Sequence, residues 1–314
     1  MIVSVGEVLI DMIALEDKPL AMVERFERHP GGAPANVAVG LSRLNVESVL
    51  ISKVGRDPFG EFLARSLEKE GVKAVLSVDE QRHTGVVFVQ LIGAKPEFIL
   101  YDGVAYFNLR EDEIPLEILM NSGAVHFGTV MFAREPSRSA VFKVIENLKG
   151  KTTLSYDVNI RLDLWKGREE EMLKDIKRAL GLADIVKLGW EEYRYLAEKG
   201  INVEDFSAKL IAITLGSKGS MLISMEERVE VPPLKVEAVD TTGAGDAFMA
   251  GLLAALYYSG SLKAGKFEKD LLWKIGKFAN LVAGLSVTRR GAWSVPRLDD
   301  IKTTPEFKAL RGRI

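Results

Sequence analysis

Short apolar runs alternate with helical patterns over most of the chain, and this alternation constrains the fold more than any other feature. The apolar, β-rich runs are Ile2–Leu9, Ser48–Val54, Ala124–Phe127, Thr153–Asp157, Ile185–Leu188 and Ile211–Leu215. Helical patterns separate them at Ala35–Leu44, Gly60–Glu70, Ser137–Leu148 and Glu169–Leu180. Strands joined through helices pair in parallel, because the helix crosses back over the sheet. The sequence therefore predicts an α/β fold, doubly wound, with a mainly parallel central sheet flanked by helices.

Two stretches, residues 12–30 and 84–107, break the alternation. In the second, Thr84–Ile92 and Glu97–Tyr101 have the pattern of paired strands around a turn at Gly93–Pro96. Strands without crossover helices indicate a small sheet outside the main one. We expect one domain over residues 1–314, with these stretches forming a lid that excludes water, or alternatively a simple extension of the sheet edge.

Composition excludes several classes of protein. The chain has no cysteine and three isolated histidines, so disulfides and the usual zinc sites are not expected. The net charge is −2 with both signs interspersed, which argues against a nucleic-acid partner. The apolar run Ala247–Tyr258 is shorter than the roughly 20 residues that span a bilayer, and Met1–Ile13 is interrupted by Glu7 and Asp11. We expect a cytoplasmic enzyme without a membrane partner.

The strongest chemical signal lies where residues 239–246 lead into the apolar helical run Ala247–Tyr258. Gly243 and Gly245 fall at the helix N-terminus, where free backbone N–H groups and the helix dipole attract anions. A carboxylate there, Asp246, is suited to a hydroxyl rather than a phosphate. It could orient an attacking hydroxyl and accept its proton in a phosphoryl transfer. The alternative is a tight turn in which Asp246 only caps the helix.

A second signal surrounds the start of the first predicted helix. Gly31 and Gly32 allow close backbone approach to a ligand, and Asn36 supplies both a donor and an acceptor. Asp11 and Lys53 follow neighbouring predicted strands, at the sheet edge where ligands bind in open α/β folds. This mixture suits a polyhydroxylated ligand, although each residue taken alone could be turn chemistry or a solvated charge.

Together these segments resemble the two signatures of the ribokinase-like, or PfkB, carbohydrate kinases. The resemblance extends over essentially the whole chain, since three further segments match in family order: Asp157–Arg161, Thr214–Gly219 and Val287–Ala292. It implies ATP-dependent phosphorylation of a sugar hydroxyl by a ribokinase-like fold.

The resemblance also implies roles for individual residues. Asp246 would be the catalytic base, and Arg161 would reach the transferred phosphate. The anion hole would be built by the backbone amides of Gly243, Ala244 and Gly245. The sugar would be bound by Asp11, Gly31, Gly32, Asn36, Lys53, Asn159 and Asp246. The nucleotide would be bound by Thr214, Gly216, Ser217, Gly219, Gly243, Gly245 and Asn280.

The implied cofactors are ATP and Mg²⁺, with a possible K⁺. Relatives often carry Asn-x-x-Glu to order magnesium-bound water; here the matching run begins with Gly189, and only Glu192 is retained. The positions that match a monovalent cation site are Asp240, Thr242, Ser286, Arg289, Gly291 and Ser294.

We expect fructose as the substrate, phosphorylated at C6 or C1; the resemblance implies C6. Gly6–Asp11 resembles fructokinases, and 157–165 resembles both these and 2-keto-3-deoxygluconate kinases. The lid segment Phe98–Phe107 contains Asp102 and no Arg or Lys, which favours a neutral sugar over an acid sugar. A 2-keto-3-deoxygluconate kinase, another sugar or nucleoside kinase, and a non-catalytic sensor are the alternatives. An apolar lid face could also form a homodimer.

Two look-alike motifs do not support other enzymes. Gly260–Phe267 nearly spells a P-loop, but Phe267 replaces the Ser or Thr that binds magnesium. Phe248 stands where the third glycine of a dinucleotide-binding motif is required.

Overall fold

In the computed structural model, which describes residues 1–92, 95–224 and 227–311, strands and helices alternate along most of the chain. The strands are β1 Ile2–Val5, β2 Leu9–Ala14, β3 Phe26–Gly31, β4 Ser48–Gly55, β5 Lys73–Asp79, β6 Gly85–Ile92, β7 Lys95–Leu100, β8 Ala124–Gly128, β9 Thr153–Asp157, β10 Ile185–Gly189, β11 Leu210–Thr214, β12 Ser220–Ser224 and β13 Arg228–Val231. The α-helices are α1 Ala33–Arg43, α2 Pro58–Lys69, α3 Leu116–Met120, α4 Ser137–Leu148, α5 Glu169–Leu182, α6 Trp190–Glu198, α7 Ala244–Tyr258, α8 Lys269–Ser286, α9 Leu298–Thr303 and α10 Pro305–Arg311.

Nine strands form the large sheet, in the order β13-β12-β11-β10-β9-β8-β1-β4-β5. The pairs from β11 to β5 are parallel, and β12 and β13 are antiparallel additions at one edge. Helices cover both faces: α1, α7 and α8 pack on one, and α4 and α5 on the other. Because both faces are covered, β4, β8 and β9 are buried along their whole length, as continuous apolar strands in a parallel sheet should be. The predicted doubly wound α/β fold is confirmed.

Four strands form a separate small sheet in the order β3-β2-β6-β7. β6 and β7 pair antiparallel, with Val87 opposite Leu100, as predicted for the second irregular stretch. Of the predicted turn between them, Gly93 and Ala94 lie outside the described residues. β2 lies between β3 and β6, so the small sheet includes a strand from the N-terminal apolar run.

The prediction of one continuous first strand, Ile2–Leu9, is wrong. β1 ends at Val5, and after Gly6-Glu7-Val8 the chain enters β2 of the small sheet. At Gly6 a Cβ atom would lie 2.4 Å from Cγ of Pro34, so only glycine allows the chain to turn this close to α1. Both strands are apolar, and for this reason the apolar pattern alone did not reveal the break. Asp11 therefore lies within β2 rather than at the end of β1.

Helix α7 is almost entirely buried between α1 and α8, and it places the strongest sequence signal inside the molecule. It begins at Ala244, three residues before the predicted apolar run, with Gly243 as its N-cap. Within residues 1–92, 95–224 and 227–311, no helix is both long and apolar enough to span a membrane.

Candidate active site

Two cavities meet at the N-terminus of α7. One, the small-sheet cavity, has a volume of about 280 Å³ and lies between β2, β6 and the first turns of α1 and α7. The other, the α8 cavity, has a volume of about 470 Å³ and is lined by residues of 214–219, 233–238 and 280–287. Thr241 lines both; Gly243 faces the first, while Ala244 and Gly245 face the second. Two ligands could thus bind on opposite sides of one helix terminus.

The turn before α7 depends on glycine. Gly243 adopts a left-handed conformation with φ of 74°, and a Cβ there would lie 2.9 Å from Cα of Ala292. At Gly245, a Cβ would lie 2.8 Å from Nζ of Lys187. The Ala244 N–H already donates to the Thr241 carbonyl at 3.2 Å, within the turn itself. Gly243 and Gly245 therefore leave a concavity at the helix terminus, and the Lys187 ammonium stands against it.

The Asp246 carboxylate lines the small-sheet cavity from the first turn of α7. Its Oδ2 accepts a hydrogen bond of 2.7 Å from Nδ2 of Asn36, on α1. Oδ1 of Asn36 in turn accepts 2.9 Å from the indole Nε1 of Trp293. Burial raises the pKa of Asp246 to about 6, although Lys187 and the Asn36 hydrogen bond act to lower it. Asp246 is therefore ionised at neutral pH but weakly solvated, which suits a general base.

Two further carboxyl groups line the same cavity. Burial raises the pKa of Glu7 to about 7 and that of Asp11 to about 7, and in both cases the charge of Asp246 adds to the rise. Glu7 was not identified from the sequence as a site residue; its Oε1 accepts from the N–H of Ala33 at 3.1 Å. Among the described residues that line the cavity, Arg161 is the one cationic side chain.

The predicted glycines at the start of α1 sit under these carboxyl groups. A Cβ at Gly31 would lie 2.0 Å from Oδ2 of Asp11, so a side chain there must displace that carboxylate. Gly32 has a φ of 101°, and its Cβ would lie 2.5 Å from the carbonyl oxygen of Glu7. Both glycines therefore fix where Asp11 and Glu7 stand in the cavity wall.

Lys187 is the main residue that sequence reasoning missed. It lies near the end of β10, almost fully buried, and its Nζ donates to both carboxylate oxygens of Asp157, at 3.0 and 3.2 Å. Burial alone lowers the pKa of Lys187, but Asp157, Glu192 and Asp246 reverse this and raise it overall. A permanent positive charge thus stands against Gly245 at the start of α7. The available signal was a lysine inside an otherwise apolar strand pattern.

Lys53, predicted to bind the substrate, lines neither cavity. Its Nζ donates to Oε1 of Glu113 at 2.6 Å and to the Asn108 carbonyl at 3.1 Å, and the side chain is buried. A buried ammonium needs such partners, so its hydrogen-bonding capacity is used within the fold. Asn159 also lies outside the cavity lining; its Oδ1 accepts from Arg161 at 2.6 Å.

The residues predicted to contact the nucleotide come together in the α8 cavity. They are Thr214, Gly216, Ser217, Gly219, Gly245 and Asn280. The side-chain amide of Asn280 donates to the carbonyls of Val231 and Pro232, at 3.0 and 3.1 Å, which holds the segment after β13 against α8. Gly243, also predicted there, faces the small-sheet cavity instead.

The predicted metal positions are only partly assembled. Asp240 accepts from the N–H of Thr242 at 2.9 Å and from that of Gly291 at 2.9 Å, so it ties together the two segments assigned to a monovalent cation. Those assigned positions are Asp240, Thr242, Ser286, Arg289, Gly291 and Ser294. Across the part of the chain that the structure describes, no group of three or more His, Asp or Glu side chains is placed to hold a metal.

Comparison with known proteins decides the family. The family model for pfkB family carbohydrate kinases matches residues 1–298. The chain belongs to the pfkB family of carbohydrate kinases. This pfkB kinase is 54% identical over 311 residues to the sugar kinase PH1459 of Pyrococcus horikoshii, with 99% of this chain and 97% of that protein covered.

Solved structures agree with this assignment. The crystal structure of the uncharacterized sugar kinase PH1459 in complex with ATP superposes with a TM-score of 0.91 at 52% identity, covering 99% of this chain and 100% of that one. Fructokinase from Vibrio cholerae O395, with fructose, ADP and calcium bound, superposes with a TM-score of 0.82 at 31% identity, covering 96% and 97%. Probable fructokinase-4 of Arabidopsis thaliana is 35% identical over 304 residues, covering 93% of this chain and 92% of that protein. Named relatives of this pfkB kinase thus include sugar kinases and fructokinases.

Proposed function

We propose that this pfkB kinase transfers the γ-phosphoryl group of ATP to a hydroxyl of D-fructose, at C6. The observation that carries the proposal is the position of Asp246. Its carboxylate lies in the small-sheet cavity, while Ala244 and Gly245, the two residues before it in the first turn of α7, line the α8 cavity. A sugar in the first cavity and ATP in the second would meet at the N-terminus of α7.

In this arrangement each residue has a simple chemical task. The sugar hydroxyl attacks the γ-phosphorus, the bond from that phosphorus to the bridging oxygen breaks, and ADP leaves. Asp246, ionised above a pH of about 6, accepts the hydroxyl proton. Of the three amides predicted for the anion hole, that of Ala244 already donates to the Thr241 carbonyl. The amides of Gly243 and Gly245 and the ammonium of Lys187 lower the free energy of the negative charge on the transferred group, and Arg161 reaches it from the sugar side.

ATP is the proposed phosphoryl donor, because the relative of known structure with 52% identity binds it. Mg²⁺ neutralises phosphate charge when it is bound with the nucleotide. Glu192 is the residue that would hold it, through water. Both Glu192 oxygens already accept backbone N–H groups, from Ile160 at 2.6 Å and Gly189 at 2.7 Å, which leaves each oxygen one further lone pair for a water molecule. The proposed site for K⁺ lies where Asp240 accepts hydrogen bonds from the N–H groups of Thr242 and Gly291.

The charged side chains that line the small-sheet cavity favour a neutral sugar as the substrate. Three carboxyl groups, of Glu7, Asp11 and Asp246, face a single cation, Arg161. The lid residue Asp102 is paired with Arg134 at 2.7 Å, which leaves that arginine less able to bind the carboxylate of an acid sugar. A fructokinase among the structural relatives binds fructose in the same fold. Fructose is therefore favoured over 2-keto-3-deoxygluconate.

The test is ADP release by purified protein with Mg-ATP and K⁺, across fructose, 2-keto-3-deoxygluconate, ribose, tagatose and adenosine. We expect the highest kcat/KM with fructose, and a product whose phosphorus signal couples to the C6 protons. Preference for the acid sugar would contradict the charge argument. ATP binding without turnover of any acceptor would point to a sensor instead.

Gly31→Ala is predicted to weaken sugar binding. The new Cβ must displace the Asp11 carboxylate, which lies 2.0 Å from it, and loss of one charged hydrogen bond raises the sugar KM about tenfold or more. KM for ATP should stay near the wild-type value, since the α8 cavity is untouched. Gly181→Ala, in α5 with open space around the new methyl group, is the matched control and should leave both KM values unchanged. An unaltered sugar KM in Gly31→Ala would remove Asp11 from the proposed site.

We further propose that the small sheet is a lid, within a single kinase domain over residues 1–314. One face of it, with Leu9, Val87 and Leu100, lines the cavity. Ile99 and Tyr101 at its outer strand are about half exposed, which would suit a homodimer formed by two lids. Light scattering should then give a mass near twice that of the 34.6 kDa chain, and a monomeric mass would contradict the dimer.

A further inference from the structure

Trp293 contacts the proposed base through one intermediate residue. Its indole Nε1 donates to Oδ1 of Asn36 at 2.9 Å, and Nδ2 of the same amide donates to Oδ2 of Asp246 at 2.7 Å. An indole N–H can only donate, so the Asn36 atom facing it must be the carbonyl oxygen. The two bonds together therefore dictate which end of the amide faces the carboxylate.

The indole itself is held firmly in place. Trp293 packs against the apolar cluster formed by α1, α2 and β4. On one side of it in the chain, the N–H of Gly291 donates to Asp240 at 2.9 Å; on the other, the Val295 carbonyl accepts from Arg43 at 2.9 Å. Asn36 is also nearly inaccessible to solvent, with 6% of its surface exposed, so water does not readily replace the indole as a partner.

We propose that Trp293 is a positioning residue: its indole N–H fixes the orientation of the Asn36 amide, so that this amide donates to Asp246 and keeps the carboxylate ready to accept the proton of the sugar hydroxyl. The inference rests on the proposed role of Asp246 in phosphoryl transfer. Without the indole donor, the Asn36 amide can turn over and present its oxygen to Asp246. Two facing oxygens are tolerated only when Asp246 carries a proton, so the turned amide favours the inactive, protonated acid.

Other charges also act on Asp246 and must stay constant in the test. They are Lys187 on β10, Asp157 on β9, Arg161 after β9, Glu7 between β1 and β2, and Asp11 on β2. Trp293→Phe alters none of these charges and keeps an aromatic ring in the apolar cluster. A change in the titration of Asp246 can therefore be assigned to the lost N–H donor.

The experiment is the pH profile of kcat/KM, from pH 5 to 9, for wild type and Trp293→Phe. One neutral hydrogen bond corresponds to a rise of about 0.5–1 pH unit in the midpoint of the acid limb. Near pH 6 the variant should be about two- to fivefold slower, and at pH 8–9 it should approach wild type. Trp165→Phe is the matched control: it removes a buried indole N–H that has no partner among the described residues. Its acid limb should not move.

A second comparison separates positioning from packing. In an Asn36→Ala background, Trp293→Phe should no longer shift the acid limb of kcat/KM, because the intermediate amide is gone. The same shift in that background, a shift in Trp165→Phe, or an equal loss of kcat at every pH together with a lower Tm would each overturn the proposal.

If wild type phosphorylates no acceptor, the proposed function fails, but Trp293 can still be tested. Ionisation of Asp246 destabilises the fold as pH rises through its folded-state pKa. Glu7 and Asp11 act in the same direction, so the part of the decrease of Tm with pH that Asp246→Asn abolishes reports the titration of Asp246 without turnover. The positioning role is supported if Tm decreases at a higher pH in Trp293→Phe than in wild type, while the pH of the decrease is unchanged in Trp165→Phe. If the pH of the decrease is the same in Trp293→Phe as in wild type, the proposal is overturned.

Discussion

Asp246→Asn should lower kcat by about 10²–10⁴-fold, the usual contribution of a general base. Asparagine has nearly the same shape as aspartate and can still accept from Asn36, but it cannot take up the hydroxyl proton. KM for ATP should change little, because the carboxylate faces the small-sheet cavity rather than the α8 cavity. The measurement is steady-state kinetics with the sugar that wild type phosphorylates fastest. A kcat within a few fold of wild type would contradict the assignment of the base.

Thermal stability distinguishes this loss from misfolding. The folded-state pKa of Asp246, about 6, lies above the ordinary aspartate value of 3.8, so the folded protein binds this proton more tightly than the unfolded chain does. The resulting stability is fully present below pH 4 and is lost as pH rises through 6. Asp246→Asn removes that loss, and at pH 8 its free energy of unfolding should exceed that of wild type by at most about 3 kcal/mol. The difference should shrink at pH 5.

Lys187→Met should reduce kcat by about 10²–10³-fold, the typical effect of losing one group that stabilises transition-state charge. It should also destabilise the protein by about 3–5 kcal/mol, because Asp157 is left as an unpaired buried charge. The added substitution Asp157→Asn removes that charge. In the double variant Tm should recover, and kcat should remain low. Recovery of kcat together with Tm would show that Lys187 acts only through folding.

Lys53→Met is the matched control for this experiment. Lys53 and Lys187 are both buried lysines on strands of the large sheet, and each is paired with a carboxylate, Glu113 or Asp157. Only Lys187 lies against the N-terminus of α7. Lys53→Met should therefore lower Tm and leave kcat near the wild-type value. A large loss of kcat in this variant would show that Lys53 belongs to the active site, as the sequence predicted.

The two lysines also show how far the sequence could predict the site. The Gly243–Asp246 signature and the Gly31-Gly32 pair consist of adjacent functional residues, so their spacing was enough to place them at the correct helix ends. A single lysine in an apolar strand has no neighbouring residue that indicates its role. Whether it points to a ligand or to a buried carboxylate depends on the strand order and on which face of the sheet it occupies, and neither is readable from local pattern.

Long-range contacts were unpredictable for the same reason. Asn36 and Trp293 are 257 positions apart, and no local periodicity relates them. The break after Val5 was missed because both β1 and β2 are apolar, and only the packing of Gly6 against Pro34 shows where one sheet gives way to the other. By contrast, β4, β8, β9 and β10 of the large sheet were predicted, since each is followed by its own helix, whereas β5, which leads directly into β6, was not.

The hydrogen bond between Asn36 and Asp246 joins residues 210 positions apart. During synthesis at about 5–20 residues per second, on the order of 10–40 s separates the appearance of the two side chains. Throughout that interval the nascent chain contains Glu7, Asp11, Gly31 and Gly32 but not Asp246, the proposed base. If the proposed roles hold, a nascent chain that ends before α7 cannot consume ATP, because it lacks the proposed base, and the α8 cavity is completed later still, by residues 280–287.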